Sequence, residues 1–196
     1  MAMYMCVSLF YIIRGVYKMK YYKKITGKRI YLSPIDADEV DNYIKWMNEE
    51  AVAANFGQYN QVVASKADLK WIYEPPTHMQ RYAIVLIEGD VLIGSISLHN
   101  IDHLNRNAYI GIFIGDAENR NKGYGAEAIR LILSYGFKTM NLHNIALSVH
   151  ADNYSAIACY KSVGFIEAGR FSDWVFKDGK YVDKIFMSVK ENELKE

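Results

Sequence analysis

Cysteine is almost missing from this 196-residue chain: Cys6 and Cys159 are the two it has, too far apart to match a metal-ligand spacing or a disulfide framework. A reduced, cytoplasmic setting without a metal is the default expectation. An excess of either charge is missing too. Against 23 Lys and Arg stand 22 Asp and Glu, a formal net charge of +1, without the basic excess on which nucleic-acid affinity rests. Long hydrophobic runs are also lacking. Residues 5–13 are apolar, but they fall short of the roughly 20 residues a membrane span needs. They have neither a basic segment before them nor a small-residue cleavage site after them. Neither nucleic acid nor membrane is therefore an expected partner. Proline amounts to three residues, and no internal repeat, low-complexity tract or linker divides the chain.

The first 18 residues differ in character from the rest. They read as an upstream extension of a chain that naturally starts at Met19, because Arg14-Gly15 is what a purine-rich ribosome-binding sequence would encode shortly before a start codon. Residues 19–196 are then one domain. Core material is ample: 51% of residues are hydrophobic and 14% aromatic, with 16 tyrosines.

Residues 29–34 read as a strand and 36–48 as a helix, with Val40, Tyr43, Ile44 and Met47 at helical spacing. Ser65 caps a short helix that Pro75-Pro76 ends. Strands at 81–88 and 91–99 are joined by Gly89-Asp90, a tight-hairpin signal. Residues 108–114 are almost wholly apolar, as in a strand covered on both faces. A helix over 123–140, a strand over 144–150 and a helix over 153–163 stopped by Gly164 follow. Two last strands, near 165–176 and 180–189, meet at Asp178-Gly179. This order predicts an α/β (α+β) fold whose mixed sheet is antiparallel apart from one central parallel crossing.

Arg120-Asn121-Lys122-Gly123-Tyr124-Gly125-Ala126 lies between that apolar strand and the long helix. Glycines let the backbone approach a ligand, and a helix N-terminus offers free N–H groups and a positive dipole end. The segment therefore suits a pyrophosphate. It also fits the dinucleotide pattern G-x-G-x-x-A, with Asp152 near the position of a ribose-binding acid. Three features oppose that reading. Residues 115–122 separate the first glycine from its strand, an antiparallel hairpin follows where further βα units belong, and Arg120 and Lys122 add cations the dinucleotide motif does not need.

A second segment, residues 153–165, has the form N-x-x-A-x-x-x-Y-x-x-x-G-F. With R-x-x-G-x-G at 120–125, it strongly resembles the GNAT superfamily of acetyl-CoA-dependent N-acetyltransferases over residues 29–190. Gly169-Arg170 through Trp174, with residues 178–183, makes the chain look most like the branch that acetylates ribosomal-protein N-termini and its small-molecule relatives. The resemblance implies a three-layer fold with about seven strands, a central splayed parallel pair and flanking helices. It implies acetyl-CoA as cosubstrate, with the pantetheine arm against Ile112, Phe113 and Ile114 and a backbone N–H near Phe113 polarising the carbonyl. Residues 120–126 would wrap the pyrophosphate, with Arg120 and Lys122 adding charge. Asn153 would steer the pantetheine. Tyr160, seven residues on and so on the same helix face, would be the general acid.

The general base is open. Where many relatives carry A-E-x-G, this chain has Ala108-Tyr109-Ile110-Gly111; His99, Asp116 and His150 are the candidates. Glu127 in the first helical turn and Cys159 beside Tyr160 read as structural. Acceptor contacts are expected from the region 46–60 (Trp46, Asn55, Phe56, Tyr59), Arg81, His99 and Trp174. The acceptor is a protein N-terminus or a small-molecule amine, with an amino sugar or polyamine as the alternative within the fold. A non-catalytic acyl-CoA-binding regulatory domain is the rival class. Dimers are common among such proteins, so the resemblance allows a homodimer, though the sequence does not fix the oligomeric state.

Overall fold

The computed structural model describes residues 20–56, 63 and 65–194. The proposed extension at 1–18 and Tyr59 lie outside the described residues, as do the side chains of Asn55 and Phe56. The chain runs β1 (Ile25–Thr26), β2 (Ile30–Pro34), α1 (Val40–Asn48), α2 (Glu50–Phe56), α3 (Lys70–Tyr73), β3 (Gln80–Leu86), β4 (Leu92–Asp102), β5 (Asn107–Ile114), α4 (Tyr124–Lys138), β6 (Asn144–His150), α5 (Tyr154–Val163), β7 (Ile166–Lys177) and β8 (Lys180–Lys190). The helix expected over 36–48 opens as a single 3-10 turn, Ala37–Glu39, because Asp36 accepts from the N–H of Asp38 at 3.0 Å and tightens the entry.

Among the described residues, one eight-stranded sheet has the order β1-β2-β3-β4-β5-β6-β8-β7. That is one strand more than expected, the addition being the two-residue β1. Every neighbouring pair is antiparallel except β5 and β6. Alternation, shifted once by a bulge between β3 and β4, sorts the side chains between two cores. Ile30, Leu32, Tyr82, Ile84, Ile96, Leu98, Ala108 and Ile110 face α4 and α5 with Ile129, Ile132 and Leu133. Tyr31, Ala83, Val85 and Phe113 face α1 and α3 with Tyr43, Trp46, Met47, Leu69 and Ile72. The sheet is thus the middle of three layers.

β5 and β6 pair only at Asn107–Asn144, Ala108–Ile145 and Tyr109–Ala146, although both strands continue, to Ile114 and His150. Beyond Tyr109 they part. Gly115 donates to the carbonyl of Ile93 on the β4 side. By alternation, the carbonyl of Ile110 and the peptide groups of Ile112 and Ile114 therefore point into the gap, the Ile110 N–H closing the ladder on β6, and those of Gly111 and Phe113 point to β4.

The N-terminus of α4 is tied to the head of β2 by Glu127. Its Oε1 accepts from the N–H groups of Lys28 and Arg29, each at 2.8 Å, and its Oε2 from Arg29 Nε at 2.9 Å. The approach is so close that a Cβ on Gly27 would stand 2.8 Å from Glu127 Oε1. Desolvation alone would raise the Glu127 carboxyl, but the hydrogen bonds from Arg29 and Lys28 outweigh it and hold the group below its ordinary 4.5. A depressed carboxylate stabilises the fold above its unfolded value, and that contribution is lost as pH falls through the folded value. Glu127→Ala is expected to cost about 1–3 kcal/mol at neutral pH. The difference from wild type should shrink below about pH 4.5, which denaturant unfolding at several pH values checks.

Candidate active site

Where β5 leaves β6, a cleft of about 620 Å³ opens between β5, β6, α5 and the loop leading into α4. Of the eleven residues expected to contact the cofactor, Ile112, Phe113, Ile114, Arg120, Asn121, Gly123, Tyr124, Gly125, Ala126 and Asn153 line it, and Lys122 does not. Tyr160 lines it as well. Gly123 is the N-cap of α4 with φ +81°, a left-handed conformation that disfavours side chains, and no side chain caps the helix there. The first-turn N–H groups are thus left to meet a ligand beside the apolar walls of Ile112, Ile129 and Val149. An anion at the helix end, continued by an amide-bearing apolar arm along the gap, matches these donors.

The two cations of the loop behave differently from their sequence reading. Arg120 folds back: its Nε donates to the carbonyl of Ile114 at 3.2 Å, its Nη2 to that of Gly115, and Glu49 stands 3.6 Å away. It braces the end of β5. Lys122 is exposed, and its carbonyl accepts from Arg29 Nη1 at 2.9 Å. Arg29, which no motif singles out, lies over the Tyr124 ring at 4.8 Å and is the cation that supports the loop from behind.

Asn153 caps α5, its Oδ1 accepting from the N–H of Ala156 at 3.2 Å. That leaves its Nδ2 as the group able to donate to a ligand. Tyr160 packs edge-on against Phe165, with ring centroids 5.8 Å apart. Burial pushes its hydroxyl far up, with a smaller push from Cys159, so it holds its proton at neutral pH. Cys159 is raised by burial in the same way and stays an inert thiol.

A second cavity of about 320 Å³ lies on the other face of the sheet. Arg81, Ser97, His99, Tyr109 and Gly111 contribute from β3, β4 and β5, with Ser148 and His150 from β6 and Lys184 from β8. Ile112, Ser148 and Tyr160 line both cavities. Tyr160 belongs to the α5 layer yet reaches a cavity walled by the opposite face, so it reaches through the gap between the strands. A Cβ on Gly111 would meet Ser97 Oγ at 3.4 Å and His99 Cε1 at 3.5 Å, so the missing side chain is part of the space. His99 is lowered from 6.5 by burial first and then by Arg81 and His78. His150 is lowered mainly by burial, with Lys177 and Lys184 adding to it and Asp152 opposing. Both imidazoles are neutral at pH 7.

Of the expected acceptor contacts, Arg81 and His99 are in this cavity and two are elsewhere. Trp46 is 2% exposed and belongs to the α1 core, edge-on to Tyr43 and Phe113. Trp174 is 60% exposed on β7 beside Phe171 and lines neither cavity. Asp116 lines neither one; a hydrogen bond from Lys45 at 2.7 Å holds its carboxyl low. Gly111, Ser148 and Lys184 escaped the sequence reading, since only the pairing of β4, β5, β6 and β8 brings them together.

The sequence model described as Acetyltransferase (GNAT) domain matches residues 29–166. The chain belongs to the GNAT acetyltransferase family. It is 33% identical over 109 residues to YdaF of Bacillus subtilis (strain 168), whose name assigns it provisionally to ribosomal N-acetylation, covering 56% of this chain and 58% of that protein. It is 36% identical over 118 residues to the spermidine N(1)-acetyltransferase of Vibrio cholerae (serotype O1, strain El Tor Inaba N16961), covering 59% of this chain and 68% of that one. The solved structure of the Vibrio cholerae spermidine N-acetyltransferase with CoA and spermine superposes with a TM-score of 0.76 at 24% identity, over 85% of this chain and 98% of that one. The GNAT fold thus stands, with its expected splayed pair.

Gly125 is the position where this GNAT cleft can be tested without disturbing the fold. A Cβ there has Cys159 Sγ as its nearest neighbour, at 4.0 Å. Gly125→Glu should keep the far-ultraviolet circular dichroism of wild type and weaken acetyl-CoA binding about 100-fold or more by calorimetry, because it sets a carboxylate against the ligand's phosphates.

Proposed function

We propose that this GNAT protein transfers an acetyl group from acetyl-CoA directly to a primary amine, with the cofactor in the larger cavity and the acceptor in the smaller one. The reading rests on one observation: Tyr160 lines both cavities, at the gap that joins them. When bound, acetyl-CoA supplies an acyl thioester whose C–S bond breaks as the acetyl carbon bonds to the amine nitrogen. The N–H groups at the start of α4 hold its pyrophosphate, and the gap-facing peptide groups of Ile112 and Ile114 orient the arm. Neutral His99 or His150 takes up the proton that the ammonium sheds, Tyr160 gives its hydroxyl proton to the departing sulfur, and the second proton lost by the acetylated nitrogen restores Tyr160. The acetyl group needs no covalent stop on the enzyme, because donor and acceptor meet across one opening. A cytoplasmic setting agrees with the chain's cysteine usage. Self-association has a surface to use, the long outer strand β7 with Phe171, Trp174 and Phe176 exposed.

Tyr160→Phe should lower kcat by about 100-fold or more while the acetyl-CoA Kd stays within about twofold. Thiol release at the wild-type rate would remove the acid role.

The pH profile follows from the two histidines. A proton acceptor lowered from 6.5 is competent above that lowered value, and Tyr160 keeps its proton until well above pH 10. With acceptor saturating, kcat should rise along an acidic limb whose midpoint is below 6.5 and show no descending limb up to pH 9. His99→Gln and His150→Gln, made singly, identify which imidazole carries the limb. A wild-type midpoint above 7 would count against both.

A further inference from the structure

Arg81 is 8% exposed and lies in the wall of the smaller cavity. Its guanidinium stacks over Trp71 at 4.5 Å, and its polar contacts are neutral: Ser95 Oγ at 3.4 Å and Met79 Sδ at 3.8 Å. Nε has no partner. No carboxylate pairs with Arg81 among the described residues, and outside them residues 1–19 and 57–64 contain no Asp or Glu, Glu196 at the end of the chain being the one acidic residue there. Burial draws Arg81 down to about 10, so it is still charged at neutral pH. A buried, unpaired cation is costly unless something else neutralises it. Lys184 brings a second basic side chain to the same cavity, and none of the described lining residues is acidic.

We propose that the acceptor is a small primary amine that itself carries a carboxylate or phosphate, which Arg81 holds while the amine faces Tyr160. This rests on the transferase reading above and names its substrate class. Guanidinium geometry suits either anion, through paired N–H donors. The cavity, at about 320 Å³, is at the small end of ligand sites. It has room for an amino acid or an aminoalkyl phosphate. A polyamine is the opposite case. Its several ammonium groups would meet Arg81 and Lys184 with no carboxylate to offset them, at a like-charge cost.

The experiment uses matched amines: β-alanine against propylamine, O-phosphoethanolamine against ethanolamine, and spermidine. Thiol release from acetyl-CoA is followed for each, together with calorimetric binding to the protein saturated with CoA. In at least one pair the anionic member should exceed its neutral partner about 30-fold or more in kcat/KM and in affinity, and which pair does so separates carboxylate from phosphate. Arg81→Met, which keeps an unbranched stem over Trp71, should abolish that preference with an unchanged acetyl-CoA Kd, and Arg81→Lys should restore part of it. Equal binding within both pairs, better turnover of spermidine, or a preference that survives Arg81→Met would overturn the proposal. Tighter binding of an anionic member without thiol release from any amine would overturn the transferase reading and leave the ligand class standing.

Discussion

Two parallel strands that begin as neighbours and then separate impose the constraint from which the site follows. β5 and β6 share three residue pairs and then diverge, although each still has several residues to run. Every peptide group turned into the opening has lost its strand partner, and such groups must be met by something else. Arg120 meets one of them, the carbonyl of Ile114, from within the chain. Among the described residues, the N–H of Ile114 and both groups of Ile112 have no strand partner on β6. The separation is held from both sides of the sheet. Phe113 is locked edge-on between Tyr43 and Trp46 in one core, and Tyr160, packed against Phe165, lines the opening from the other.

The glycine loop depends on the same parting, because it carries the chain from the end of β5 to the start of α4. Its positive-φ N-cap leaves the helix end without a side-chain cap, so the loop needs support from outside. Glu127 and Arg29 provide it as one unit. Glu127 binds the backbone at the head of β2, and Arg29 returns to the carbonyl of Lys122 and the face of Tyr124. A loop held in place from the head of β2 needs little rearrangement to meet a ligand.

Much of this was legible in sequence where the signal is local. The glycines at a helix start, the Asn153–Tyr160 spacing and the Gly89-Asp90 and Asp178-Gly179 turns all act within one or two elements, and each element stands where expected. Other features need the sheet order. That Arg81, His99, Gly111, His150 and Lys184 share one cavity follows from five strands being side by side, which no window of sequence contains. Aromatic identity says nothing of direction: of Trp46 and Trp174, the helical spacing of the first with Tyr43 turns it into the core, and the second is exposed on β7. Charge likewise says nothing of direction: Arg120 and Lys122 are two residues apart, one folded onto carbonyls and the other in solvent.

The electrostatics of the smaller cavity also bear on how an amine is made ready without a carboxylate base. An alkylammonium has a pKa near ~10 in water and must lose its proton before it can attack. A carboxylate beside it would stabilise the ammonium as well as accept its proton, so the two effects oppose each other. Arg81 and Lys184 act in one direction only, because a nearby positive charge disfavours the charged amine. The same cations and the same burial keep His99 and His150 neutral and able to take the proton. An anion on the acceptor, bound at Arg81, would anchor the molecule and discharge the buried guanidinium, while Lys184 stays on the other side of the cavity to act on the amine. Tyr109 beside His99, with ring centroids 6.0 Å apart, then keeps negative charge out of a place where it would hold the amine in its unreactive form.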